Sequence, residues 1–393
     1  MTSQTQILLD AEAGIPWIDS TWNAERVPQL PSAHPWSVRS STLIGGVSQG
    51  VQCLELCNGS VTWWILPTRG MGIWKGQRGQ LPIGWQSPVK RPVHPAFVNL
   101  TERNNLGWLN GFNELLCRCG LAYQGPPGND NGEHITLHGR IANLPASKVE
   151  VVFDPAGPGC LEIRGTVEET TFFGPSYRLE TTYRTQLGSD RLEITDVITN
   201  LGARPVPLAL LYHINIGTPL LEAGAKVTVP SREIVPRDAR SGALGADWCR
   251  YAAPEPGFPE EGYFFQPLAN ADGWSTAVLT NAAGEQAFAV RFKPETLPWF
   301  TVWKNTMAIE EGYVTGIEPG VNLPNFRSYE RDHGRLPQIE PGKSYRCELE
   351  LVIAESKSEV AQLQRAAAEC QGSFEQIFHS QPQPGWSPQG DEP

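Results

Sequence analysis

Between Tyr177 and Leu187 the chain alternates with a period of two. Tyr177, Leu179, Thr181, Tyr183, Thr185 and Leu187 are apolar or β-forming, while Arg178, Glu180, Arg184 and Gln186 fall between them. Successive side chains of an extended strand point to opposite faces, so this segment buries one face and wets the other. Gly188-Ser189-Asp190 then turns the chain into Arg191-Leu192-Glu193-Ile194-Thr195-Asp196-Val197, which predicts an antiparallel hairpin. The pattern recurs. Val51 to Cys57 and Ser60 to Leu66 flank Asn58-Gly59, a strong signal for a tight hairpin turn. Thr276 to Thr280 faces Ala287 to Phe292 across Asn281-Ala282-Ala283-Gly284, and Tyr345 to Ile353 keeps Cys347, Leu349, Leu351 and Ile353 on one side. Only Ser358 to Cys370, rich in Ala, Gln, Glu and Leu, reads as helix.

Many antiparallel strands with one C-terminal helix predict an all-β fold, a large antiparallel β-sandwich. A hydrophobic content of 40%, with 13 Trp, 14 Phe and 9 Tyr, supplies a bulky core, and 39 Gly with 34 Pro supply the turns between short elements. No internal repeat or linker divides the chain, so residues 1–380 are expected to form one domain. Residues 1–37 read as an irregular wrap, and the Pro- and Gly-containing stretch 381–393 as a disordered tail.

A formal net charge of −11 argues against a nucleic-acid partner and against a polybasic membrane surface. The first ten residues carry no basic start or long apolar core, and no run approaches the roughly 20 apolar residues of a membrane span. The expectation is a soluble, cytoplasmic protein. The eight cysteines contain no C-x-x-C pair and are read as buried thiols rather than zinc ligands or a redox couple.

Glu318 closes the alternating run Tyr313 to Glu318 and is followed by Pro319-Gly320, which places a carboxylate at the mouth of a half-buried strand, a suitable position for a general base. His138 follows the Gly/Pro/Asn-rich loop from Gln124 to Gly132. With His134 it would make a zinc pair on a helix, but the flanking Gly and Ile-Thr favour extended chain, and no metal is expected. His213 ends the apolar run from Val206 and shares a face with Leu211 and Ala209; it is either a satisfied core histidine or, if that face lines a cleft, a proton-transfer group. Gly46-Val47-Ser48-Gln49-Gly50 fits the G-x-S-x-G pattern, yet a strand rather than a helix follows it, so no serine nucleophile is expected. The glycines after Arg69 have the wrong spacing for a dinucleotide loop, and Arg69 itself is a candidate for holding hydroxyls. Trp303 and Lys304 put an aromatic platform beside a polar group, which is what a pyranose requires.

Taken together, Leu137-His138-Gly139-Arg140-Ile141-Ala142-Asn143-Leu144-Pro145, Tyr212-His213-Ile214-Asn215-Ile216-Gly217 and Thr315-Gly316-Ile317-Glu318-Pro319 resemble, in order, the three signature segments of the aldose 1-epimerase (galactose mutarotase-like) superfamily. The match is nearest to a poorly characterised branch, to whose pattern Asn113-Glu114 and Cys117-Arg118-Cys119 belong. The resemblance implies the galactose mutarotase-like supersandwich. It also implies cofactor-independent isomerisation at the anomeric carbon of a small-molecule carbohydrate. Glu318 would be the base at the anomeric hydroxyl, His213 the acid at the ring oxygen, and His138 an assistant. Arg69, Trp303, Lys304, Asn322 and Arg327 would contact hydroxyls or the ring. The alternative is a non-catalytic carbohydrate-binding or sensing protein on the same fold.

Overall fold

The computed structural model describes residues 2–30 and 33–391, the side chain of Ala246 excepted. Two large sheets face each other. The nine-stranded sheet runs Gln4–Asp10, Ala146–Asp154, Cys160–Thr170, Ser176–Gln186, Arg191–Asn200, Ser344–Ala354, Ala287–Phe292, Ser275–Thr280 and Lys226–Thr228, antiparallel throughout. The second sheet is 13-stranded. At its centre Gly72–Arg78, Leu116–Leu121, Ala209–Gly217, Val314–Gly320, Trp299–Asn305 and Glu261–Pro267 lie side by side.

The period-two reading holds strand by strand. In Ser176–Gln186 the residues Tyr177, Leu179, Thr181, Tyr183 and Thr185 are all buried, and they pair in register with Arg191–Asn200 as the turn chemistry requires. The Asn58-Gly59 turn forms too, and Asn58 does more than turn the chain. Its Oδ1 accepts from the backbone N–H groups of Ser60 and Val61 at 2.9 and 2.8 Å. Its Nδ2 donates to Thr185 Oγ1 and to the carbonyls of Gln186 and Ser189 in the opposite sheet. The helix spans Lys357–Gln371, capped by the Ser356 hydroxyl, and buries Val360, Leu363, Ala367 and Cys370 over Val278, Ala289 and Val352.

Between the sheets one continuous apolar cluster is interrupted by a buried polar group. Arg118 reaches from the larger sheet to Asp196 in the smaller, Nε to Oδ2 at 2.5 Å and Nη2 to Oδ1 at 2.8 Å, with both side chains fully inaccessible. Thr181 Oγ1 and the Tyr183 hydroxyl accept further guanidinium hydrogens, and the Tyr212 hydroxyl donates to Asp196 Oδ2 at 2.7 Å.

Both termini are more ordered than the sequence indicates. Gln4–Asp10 is an edge strand of the smaller sheet and Ser20–Asn23 an edge strand of the larger, so the irregular wrap is corrected to a segment that contributes to both. The stretch from 381 to 391 is not a loose tail: the Ser387 hydroxyl donates to Arg237 O at 2.8 Å, Asn325 Nδ2 donates to Trp386 O at 2.9 Å, and the Trp386 ring meets Trp299 edge-on. Its prolines exclude a regular ladder but not side-chain docking; residues 392 and 393 of that expectation lie outside the described residues. Among the described residues no helix is long and apolar enough to cross a membrane.

Removing one partner of the inter-sheet pair leaves a buried charge with nothing to balance it. Asp196→Ala is expected to lower the unfolding free energy by about 3–5 kcal/mol, measurable as an earlier midpoint in a urea titration.

Candidate functional site

On the central strands of the larger sheet, one set of side chains faces the apolar interior and the alternate set faces outward into a hollow. Leu210, Tyr212, Ile214, Ile317, Phe300 and Val302 belong to the core. His213, Glu318, Thr301, Trp303, Gly262 and Phe264 line the hollow, a cavity of about 580 Å³, within the ~300–1,000 Å³ usual for small-molecule sites. Loops around Leu106 to Phe112, Gly125 to His138 and Pro324 to Phe326 wall it, and Ser387 to Gln389 closes one side.

Strand register brings the chemistry together. Leu211 pairs with Gly320 and Asn215 with Gly316, which sets His213 opposite Glu318; on the other side Glu318 pairs with Thr301. Gly316 is required by this arrangement, because a Cβ there would sit 2.0 Å from Glu318 Oε1. The carboxylate therefore folds back over a position where any side chain would displace it.

His213 Nδ1 lies 3.1 Å from Glu318 Oε1, but its hydrogen points to Asn215 Oδ1 at 2.7 Å, leaving Glu318 Oε1 without a hydrogen-bond partner among the described residues. Asn215 Nδ2 donates to the carbonyls of Glu114 and His213, so its oxygen is the acceptor end and the neutral His213 carries its hydrogen on Nδ1. Nε2 is then the basic nitrogen. His138 has the complementary tautomer: its Nδ1 accepts from the Gly125 N–H at 3.4 Å, and Nε2 bears the hydrogen. The two imidazoles meet edge to face at 5.6 Å between centroids. His138 has φ of +56°, a left-handed conformation that a non-glycine residue adopts at a cost of order 1 kcal/mol; His138 N–H donates to Gly125 O, and His138 O accepts from Gly120 N–H, holding it there.

Burial dominates the electrostatics. It pushes the Glu318 carboxyl well above the usual carboxylate range, with Glu260 adding to the shift and Arg237 opposing it. It pushes the His213 imidazole down to about 4, against the hydrogen bond to Asn215. His138 is driven well below the ordinary histidine range by burial and then by His213. Burial thus disfavours the charged form of both groups, shifting the carboxyl toward its protonated form and the imidazole toward its neutral one.

Of the residues singled out from sequence, His138, His213, Glu318 and Trp303 converge here; the other four do not. Arg69 is buried and spends its fork on Glu114 Oε1 at 2.8 Å, Gly111 O at 2.9 Å and Asn143 Oδ1, bracing the loop that carries Trp108 and Phe112. Lys304 falls on the core face, one residue out of phase with Trp303, where Nζ donates to the carbonyls of Trp248 and Arg250. Asn322 is buried against Gln124, Leu208 O and Arg335 O. Arg327 is consumed by Asp130 and Glu133. These four are corrected from substrate contacts to structural supports.

Trp108, Phe112 and Thr301 are the site residues that sequence reasoning missed. Phe112 and Trp303 pack on His213 at 5.0 and 5.5 Å between centroids, and Trp108 on His138 at 4.8 Å. Trp108 Nε1 and Thr301 Oγ1 are buried without a partner among the described residues. Thr301 was findable, since it is two residues from Trp303 on the same strand face; Trp108 and Phe112 lie in and just after the short turn Gly107–Gly111, where no periodicity points the way.

Other sequence features resolve simply. Ser48 sits in a short 3-10 turn with its hydroxyl bonded to Pro92 O at 2.7 Å, not on a nucleophile elbow. His134 is exposed, apart from the cavity, and among the described residues no group of three or more His, Cys, Asp or Glu could hold a metal ion. Six cysteines are buried, while Cys57 and Cys249 are only half-buried.

The carboxyl environment has a measurable consequence. With its folded-state pKa raised, Glu318 keeps a proton that the unfolded chain releases above about pH 4.3, so its contribution to stability falls as pH rises past that point toward the folded value. Glu318→Gln escapes this penalty. Its melting temperature should match wild type near pH 4 and exceed it at pH 7, as followed by circular dichroism.

Comparison with known proteins places the chain. Residues 48–353 match the family model described as "Domain of unknown function (DUF4432)". A solved structure from Klebsiella pneumoniae subsp. pneumoniae MGH 78578, provisionally described as an aldose 1-epimerase, is 35% identical over 96% of this chain and 98% of its own, with a TM-score of 0.93. A galactose mutarotase-like protein from Clostridium acetobutylicum shares the fold at 14% identity and TM-score 0.56, covering 81% of this chain and 98% of its own. A galactose mutarotase related enzyme from Lactobacillus acidophilus does so at 12% and 0.52, covering 77% and 98%. Among curated proteins none matches. The chain belongs to the DUF4432 family, within the aldose 1-epimerase (galactose mutarotase-like) superfamily.

Proposed function

We propose that the protein exchanges the anomers of a sugar or sugar derivative by acid–base catalysis without a cofactor. Glu318 and His213 are the proton-transferring pair, and His138 assists. The observation that carries this reading is the opposition of a carboxyl and an imidazole, 3.1 Å apart, in a hollow walled by Trp303, Trp108 and Phe112.

Anomer exchange needs one group to take the proton of the anomeric hydroxyl while another protonates the ring oxygen. The ring opens, the C1–C2 bond rotates, and closure on the other face returns both protons. One proton distributed over two groups is sufficient for the cycle. Burial favours a resting state with that proton on Glu318 and the lone pair on His213 Nε2, the reverse of the polarity the resemblance implies. Glu318 gives its proton to the ring oxygen while His213 Nε2 takes that of the anomeric hydroxyl, leaving a carboxylate and an imidazolium, and closure on the other face reverses both transfers. Asn215 holds the imidazole in one tautomer throughout. The Nε2–H of His138 is a donor for a substrate oxygen, and the Trp303 ring is a platform for the C–H face of the sugar.

One-dimensional NMR of freshly dissolved single anomers tests the reading across a panel of sugars. Glu318→Gln should slow wild-type exchange about 10²–10⁴-fold; equal rates on every sugar leave only a binding role. The kcat/KM profile should fall on the acid side as His213 takes a proton, near pH 4, and on the alkaline side above the ordinary carboxylate range as Glu318 loses its own. Gly316→Ala, which evicts Glu318 from its position, should lose activity comparably while its urea midpoint moves little.

A further inference from the structure

We infer that the cavity takes a neutral sugar bearing an apolar group away from its anomeric carbon, a deoxy or O-alkyl sugar rather than a fully hydroxylated or phosphorylated one. This rests on the anomer-exchange reading for which end of the sugar meets Glu318, and it deepens that reading by assigning the rest of the molecule.

The lining residues include buried polar atoms that the protein leaves unpartnered. Glu318 Oε1, Trp108 Nε1 and Thr301 Oγ1 are three buried side-chain atoms without a partner among the described residues, and all three residues line this one cavity. They are shielded from solvent, so at this end a sugar meets the side chains of Glu318, His213 and His138, which can satisfy the anomeric and ring oxygens.

Above the floor the wall changes character. One side is Leu106, Leu109, Leu137, Pro126 and Phe326, and a proline has no N–H to offer. The polar groups elsewhere on the wall are mostly spent within the protein. Gly262 N–H donates to Ser241 Oγ and Trp303 Nε1 to Glu260. Asn325 Nδ2 donates to Glu330 and to Trp386 O. A hydroxyl directed at the leucine side finds no partner, and burying it so is unfavourable, whereas a methyl group there is favoured.

Charge excludes anions. Among the described residues lining the cavity, Arg237 is the sole lysine or arginine, and its guanidinium is held by Asp238 at 3.0 Å and Glu260 at 2.9 Å. A phosphate or carboxylate would face those two acids and Glu318 with no cation free to receive it. Gln389, which is exposed, and the carboxylate of Glu260, which accepts one bond on each oxygen, remain able to bind hydroxyls, whereas Asp238 is spent on Ser241 and Arg237. The lining is thus divided between an apolar set on the loops beside Leu116–Leu121 and an acidic set beside Glu261–Pro267, at the other end of the central strand order.

The test compares parent hexoses with their 6-deoxy and 3-O-methyl derivatives and their 6-phosphates, by anomer-exchange NMR with wild type and by calorimetric titration with Glu318→Gln. At least one apolar derivative should exceed its parent in kcat/KM and in affinity by about tenfold or more, and every 6-phosphate should fall below its parent. Leu109→Asn should shrink the derivative-to-parent ratio in both assays. Parents equal to or better than all derivatives, or a preferred phosphate, overturn the inference while leaving anomer exchange standing. If wild type exchanges no sugar faster than Glu318→Gln, anomer exchange fails, and the titration alone decides whether the apolar wall selects its ligand.

Discussion

The buried Arg118–Asp196 pair is the constraint on which the rest of the structure depends. Two sheets held only by apolar contact could slide by small steps at little cost, since hydrophobic attraction has no direction. A guanidinium that meets a carboxylate through two nitrogens, with Thr181, Tyr183 and Tyr212 completing the shell, has one satisfactory position. Its energetic contribution relative to an apolar pair is modest, because desolvating both charges offsets much of their attraction. Its value is positional. Arg118 sits between Cys117 and Cys119, whose side chains face the cavity side, and Tyr212 is the neighbour of His213, so fixing the core face of these strands also fixes the face that carries the chemistry.

That two-faced use of the central strands explains why the site is both rigid and electrostatically unusual. Glu318 and His213 do not stand on loops; they are alternate residues of strands whose other residues are locked in the core. The floor is covered by Trp108, Phe112 and Trp303, which exclude water from the pair and shift its protonation equilibrium toward uncharged forms. Arg69, far from touching a ligand, braces the Gly107–Gly111 turn from behind, through Gly111 O and the Glu114 carboxylate. The supporting arginine and the tautomer-fixing Asn215 both act through the same stretch, because Glu114 O accepts from Asn215 Nδ2.

Much of this was legible in the chain before folding, and the boundary is instructive. The alternation of Tyr177 to Leu187, the Asn58-Gly59 turn and the Ser358 to Cys370 helix are local signals, and each became the expected element. His138, His213 and Glu318 were recognisable from their segments, and they do meet. Lys304 shows where such reasoning stops: one residue from Trp303 in sequence, it lies on the opposite face of the same strand. Arg327 and Asn322 follow the signature segment and belong to it in sequence, yet their partners, Asp130 and Gln124, lie nearly two hundred residues away. Trp108 and Phe112 carried no signal, since their role comes from a turn folded over a distant strand.

The sequence by itself determined the strand periodicity, the turns, the helix and the identity of the groups able to move a proton, because these depend on neighbours a few residues apart. Tertiary structure decided which polar side chains remain open to a ligand and which are consumed by the fold, and it set the protonation of those that remain. A side chain's hydrogen-bond partners and its distance from water are properties of the packed chain, so only packing could separate Trp303 from Lys304 or raise the pKa of Glu318.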